Sequence, residues 1–276
     1  MNRILVGADG SPDSRAAIRW AGELAAATGA ELIVATAWRP EISEASPDEH
    51  DDLRAEAQTA LDGWSEADVV AGIESRSRVL DGDPREALLE GADELDVDLV
   101  VIGTRGTGRR HHTMHLGSVA HHLVHHARRP LVIAPVSARG SWPSTIVVGV
   151  DGSAHGARAL GWATDLARST GSEVVATYAE APPAEFVAHD DPTSWYQRAQ
   201  RDLDTWVADQ TAPGLTIRTR VVDREPGPGI AEAGDHEHAG LIVVGARGIG
   251  GVTGVRLGGT ALKVLHHAHL PVVVVP

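Results

Sequence analysis

Short apolar runs without alternation are separated by stretches whose apolar residues keep helical spacing. Ile4 to Ala8 is such a run, as expected of a parallel strand buried on both faces. Asp9-Gly10 follows, then Ser11-Pro12, an N-cap residue and a proline at the first helical position. Ala17, Ala21, Leu24 and Ala25 keep helical spacing, and Gly29 suits a C-terminal cap. Leu32 to Ala37 reads as a second strand, Pro40 to Asp52 as a connection, and Leu53 to Ala67 as a helix. A third strand is expected near Ile73 to Leu80 and a helix from Pro84 to about Leu95. Asp98 to Ile102 is the fourth strand, followed by a glycine loop and a helix beginning near Gly117-Ser118. Leu131 to Ala134 makes the fifth strand. Strands alternating with helices predict a parallel sheet covered on both faces.

The pattern then starts again. Ile4-Leu5-Val6-Gly7-Ala8-Asp9-Gly10-Ser11 returns as Ile146-Val147-Val148-Gly149-Val150-Asp151-Gly152-Ser153, an offset of 142. The same offset pairs Trp20 with Trp162, Trp64 with Trp206, Pro84 with Pro226, Gly103 with Gly245 and Gly106 with Gly248. A period of this length is one domain, far longer than a solenoid unit. The expected fold class is therefore α/β, with two tandem doubly wound five-stranded parallel-sheet domains of Rossmann-like type. They span 1–136 and 144–276, joined through a Ser-, Gly- and Pro-containing linker from Val136 to Thr145.

Composition narrows the chemistry. The 276 residues include no Cys, which removes disulfides, thiolate metal sites and Cys nucleophiles. A net charge of −14 argues against nucleic acid as a partner. No apolar run approaches the ~20 residues of a membrane span and the start lacks a signal-peptide pattern, so a cytoplasmic location is expected. The scarcity of Lys, with Lys263 alone among 24 basic residues, reads as a high-GC bacterial genome. Within this acidic background Arg105, Arg109 and Arg110 share one glycine-rich loop, which suits a small anion.

In open parallel sheets ligands bind beyond the carboxyl ends of the strands, at the point where strand order reverses. Asp9 and Asp151 stand there, directly after the first strand of each repeat. Such an acid either organises the turn or accepts hydrogen bonds from ribose hydroxyls. After the fourth strand comes Gly103-Thr-Arg-Gly106, continuing to Gly117-Ser118. Its partner is Gly245-Ala-Arg-Gly248, continuing to Gly258-Gly259-Thr260. Glycines let backbone N–H groups wrap an anion, and a helix N-terminus adds about half a positive charge. Neither a Walker A loop nor G-x-G-x-x-G after the first strand occurs. The repeat slips inside this loop: ten residues separate Gly106 from Gly117, but nine separate Gly248 from Gly258. Ser118 then aligns with Gly259, and the hydroxyl moves to Thr260.

These residues resemble the universal stress protein family, in tandem form and of the ATP-binding subclass. That family shows an Asp after the first strand and Gly-x2-Gly-x9-Gly-Ser/Thr after the fourth. The likeness covers both repeats and implies a fold related to the adenine nucleotide alpha hydrolases. It implies one ATP site from Ala8, Asp9, Ala37, Gly103, Gly106, Gly117 and Ser118. A second would comprise Val150, Asp151, Ala179, Gly245, Gly248, Gly258 and Gly259, with Thr260 as a substitute donor. Magnesium would arrive with the nucleotide. Loss of the aligned hydroxyl predicts a second site roughly 10–100-fold weaker unless Thr260 compensates. The resemblance also implies pairing of the two domains through their last strands about a pseudo-two-fold axis, and leaves a homodimer open.

Three functions fit this reading: a regulatory stress-response protein with little turnover, a slow ATPase or nucleotidyl-transferring enzyme, or an interaction scaffold that binds no nucleotide. No G-x-S-x-G, Cys or phosphate-loop Lys marks a committed catalytic constellation. His121/His125 and His122/His126 are i, i+4 pairs, with His111, His112 and His115 upstream, but no H-E-x-x-H completes a metal motif. Solvated or capping histidines are the simpler reading. Trp20/Trp162 and Trp64/Trp206 read as core or helix-packing residues, and Asp48 to Asp52 as a solvated helix start.

Overall fold

A computed structural model describes residues 1–39, 47–68, 72–107, 116–138, 141–142, 144–182, 192–208, 210, 215–250 and 257–276. The chain divides into two compact units, Met1–Gly140 and Ser141–Pro276. In the first, β1 (Arg3–Gly7), α1 (Pro12–Thr28), β2 (Glu31–Trp38), α2 (Pro47–Asp68) and β3 (Ser75–Asp81) lead into α3 (Pro84–Glu94), β4 (Leu99–Gly103), α4 (Ser118–His126) and β5 (Leu131–Ala134). In the second the order is β6 (Thr145–Gly149), α5 (Ala154–Thr170), β7 (Glu173–Ala179), α6 (Pro192–Ala208) and β8 (Ile217–Val222). It continues through α7 (Pro226–His236), β9 (Leu241–Gly245) and α8 (Gly259–His267) to β10 (Val272–Val275).

Each unit holds a five-stranded parallel sheet. The first runs β3-β2-β1-β4-β5 and the second β8-β7-β6-β9-β10. The order reverses between β1 and β4, and between β6 and β9, which opens a crevice at the strand ends there. Ile4, Leu5 and Val6 of β1 and Ile146, Val147 and Val148 of β6 are fully buried, the reason these runs show no alternation. Each such side chain contributes about 1.5–3 kcal/mol on leaving water. In the first unit α1 packs on α2 and α3 on α4; in the second α7 packs on α8.

Local signals set the helix starts and stops. Ser11 caps α1, its Oγ accepting from Ser14 N at 3.2 Å, and Ser153 caps α5 by accepting from Gly156 N at 3.0 Å. Gly29 and Gly171 end these helices in the left-handed conformation at φ 72°. One boundary departs from expectation in part. Helix α2 starts at Pro47 rather than Leu53, so 48–52 belongs to the helix start, as its acidic residues suggest, and not to the connection, although it carries no apolar stripe. Asp51 and Asp52 are exposed, within α2. Among the described residues no helix is long and apolar enough to cross a membrane.

Trp20 is fully buried, while Trp162, Trp64 and Trp206 are half-buried. The last two lie against Gly10 and Gly152. A Cβ on Gly10 would fall 2.6 Å from Trp64 Cζ2, and one on Gly152 2.6 Å from Trp206 Cε2. Both glycines are left-handed, at φ 75° and 77°, so the turn and the indole each exclude a side chain.

Candidate functional site

In the first unit the crevice is bounded by the turn after β1 and the loop after β4, and Asp9 joins the two. Its Oδ1 accepts from Ser11 N at 3.0 Å and its Oδ2 from Thr107 N at 2.8 Å. Ser14 Oγ accepts from Asp9 N at 3.3 Å, and Ser11 Oγ donates to Arg105 O at 3.2 Å. A Cβ on Gly106 would overlap Asp9 Oδ2, so only glycine allows the carboxylate to reach the amide beyond it. Gly103 rests on the backbone of Asp13 and Ser14.

The second unit repeats the arrangement. Asp151 Oδ1 accepts from Ser153 N at 3.0 Å and Oδ2 from Ile249 N at 3.0 Å. Gly248 lies against Asp151 Oδ2, and Gly245 against the backbone of His155. Turn organisation is thus an observed role of both acids. A carboxylate offers about four lone-pair positions, so each oxygen keeps one for a further donor.

The loop returns to the sheet through Gly117 N, which donates to Thr104 O at 2.8 Å, and Gly258 N, which donates to Ala246 O at 2.7 Å. Gly117 and Gly258 are the N-cap residues of α4 and α8, and neither helix receives a side-chain cap. Their first N–H groups thus lack the side-chain acceptor that Ser11 gives α1. Ser118, Gly259 and Thr260 are exposed in these first turns.

The other expected residues line the same end of each sheet. Ala8 is buried, its N–H donating to Ala35 O at 2.7 Å, and Ala37 lies two residues further along β2. Val150 N donates to Thr177 O at 2.9 Å, and Ala179 is buried at the end of β7. Arg105 is exposed on the loop, whereas Arg109, Arg110, His111, His112 and His115 lie outside the described residues.

The sequence model of the universal stress protein family matches residues 1–135 and again 144–276. The chain belongs to the universal stress protein family. A family member from Mycobacterium tuberculosis is 29% identical over 304 residues, covering 98% of this chain and 94% of that protein. Another, from Mycolicibacterium smegmatis, is 26% identical over 289 residues, covering 99% and 96%. A crystal structure of a universal stress protein from Archaeoglobus fulgidus matches the fold with a TM-score of 0.71 at 21% identity, covering 99% of this chain and 98% of that one.

Elsewhere, the His122 and His126 rings stack at 4.1 Å between centroids, and His122 Nε2 lies 3.7 Å from Glu86 Oε1. Among the described residues no three His, Cys, Asp or Glu side chains are grouped to hold a metal ion. Two residues beside the loops escaped the sequence reading. Asp13 and His155 occupy equivalent places 142 residues apart, but a search for identity passes over them because they differ.

Proposed function

We propose that each domain binds one adenine nucleotide, ATP with magnesium brought by the nucleotide, and that occupancy rather than turnover is what this stress-response protein transmits. The observation that carries this reading is the same cradle in both domains: an Asp-tethered glycine loop beside a helix start with no side-chain cap. Asp9 and Asp151 would take ribose hydroxyls on their remaining lone pairs, and the loop amides with the α4 and α8 N-termini would take phosphate oxygens. Ala37 and Ala179, small residues near the ends of β2 and β7, would stand beside the base. Both oxygens of each Asp already accept from backbone amides, which suits a fixed acceptor more than a free general base. Membership of a family with ATP-binding members supports the choice of ligand.

Equilibrium dialysis with ATP and magnesium should give two nucleotides per chain. Asp9→Ala and Asp151→Ala should each remove one. No binding at millimolar ATP, or loss of both sites from one substitution, would count against the reading.

A further inference from the structure

The two loops match in backbone but not in the residue beneath them. Asp13 and His155 stand in the first turns of α1 and α5, their backbones against Gly103 and Gly245. In the second domain Arg247 Nε donates to His155 Nε2 at 3.0 Å, and Arg247 is half-buried. In the first, the equivalent Arg105 is exposed, and Asp13 stands in the place of His155.

Accepting at Nε2 requires a neutral ring with its proton on Nδ1. Burial pushes the His155 imidazole below its ordinary value, and Arg158 and Arg247 push it the same way against Asp151. The neutral ring is therefore favoured at neutral pH. A guanidinium carries five donors in one plane, so tying Nε fixes that plane and leaves four donors on the two Nη atoms. A pinned fork of this kind suits paired hydrogen bonds to phosphate oxygens.

Resting on the nucleotide reading above, we propose that Arg247 is a phosphate-binding residue of the second site and that His155 is the positioning residue that aims it. At the first site an acidic residue stands in place of the neutral ring, which favours a bound anion less than His155 does. The chemistry recognised is the phosphate of a nucleotide, not its base or sugar.

The test uses the full chain in an Asp9→Ala background, where binding is read at the second site alone, with ATP and adenosine as probes at pH 7.5. Arg247→Ala should weaken ATP about tenfold and leave adenosine nearly unchanged. His155→Ala should give most of that loss, and His155→Gln, whose amide oxygen can accept from Nε, should restore much of it. Combining His155→Ala with Arg247→Ala should cost no more than Arg247→Ala alone. Equal losses for ATP and adenosine, failure of Gln to rescue, or losses that multiply in the double variant would each overturn the proposal. If the Asp9→Ala background already binds neither probe at millimolar concentration, the nucleotide reading falls first, before any change at 155 or 247.

Discussion

The two domains build their crevices from the same backbone contacts and dress them with different side chains. The bonds from Asp9 and Asp151 to their loops agree within 0.2 Å, at 2.8 and 3.0 Å. Around them Asp13 becomes His155, Ser14 becomes Gly156, and Ser118 aligns with Gly259. Away from the crevice the divergence goes further. Arg15 and Arg19 of α1 both reach the buried Asp68 carboxylate at 2.6 Å, whereas their counterparts are Ala157, Gly161 and Gln210. Duplication has thus kept what holds the loop in shape and varied what surrounds it.

The strongest way to break the comparison is to remove what the domains share. Gly106→Val and Gly248→Val place a side chain on the Asp carboxylate, which must then release Thr107 N or Ile249 N. Each should cost its own site about 100-fold in ATP affinity and leave the other site intact, measured by titration calorimetry. Equal retention at both sites would show that the tether is not needed.

A smaller effect sharpens the difference. A Cβ on Gly259 meets nothing within 4 Å, so Gly259→Ser restores the aligned hydroxyl without a clash. It should tighten ATP at the second site about tenfold, towards the first site's affinity. No change would mean that Thr260 already supplies the donor.

The smallest expected effect is on stability against pH. Burial is the leading cause that lowers His122 and His125 in the first domain and His155 in the second. In the first domain neighbouring histidines add to the effect; in the second Arg158 and Arg247 do, against Asp151. A lowered folded value means the unfolded chain binds more protons, so stability is full above the ordinary imidazole value near 6.5 and declines as pH falls below it. Thermal melts from pH 7.5 to 5.5 should fall in midpoint, and His125→Asn should flatten part of that slope. A midpoint that rises on acidification within this window would reverse the sign.

Most of the fold was legible because its strands are buried on both faces and its helices carry Ser, Pro and Gly at their ends. The start of α2 was legible only in part, since 48–52 offers no apolar periodicity and charge alone marks a helix start there. At the crevice the repeat exposed what both copies retain: the two Asp residues and the loop glycines. It could not expose the Arg247–His155 bond, because a repeat search rewards sameness and His155 answers an aspartate. Nor could it show that Trp64 reaches Gly10, a contact made across 54 positions of chain by the packing of α2.

That contact couples two positions far apart in the chain. With an indole 2.6 Å from where a Cβ would sit, any side chain at Gly10 forces the Trp64 ring to shift, and the same holds at Gly152 under Trp206. A smaller residue in place of the indole would relieve that contact alone, since the left-handed turn still disfavours a side chain at either glycine. Each copy thus ties the turn beside its aspartate to an indole far along the chain, so that a change at one is felt at the other.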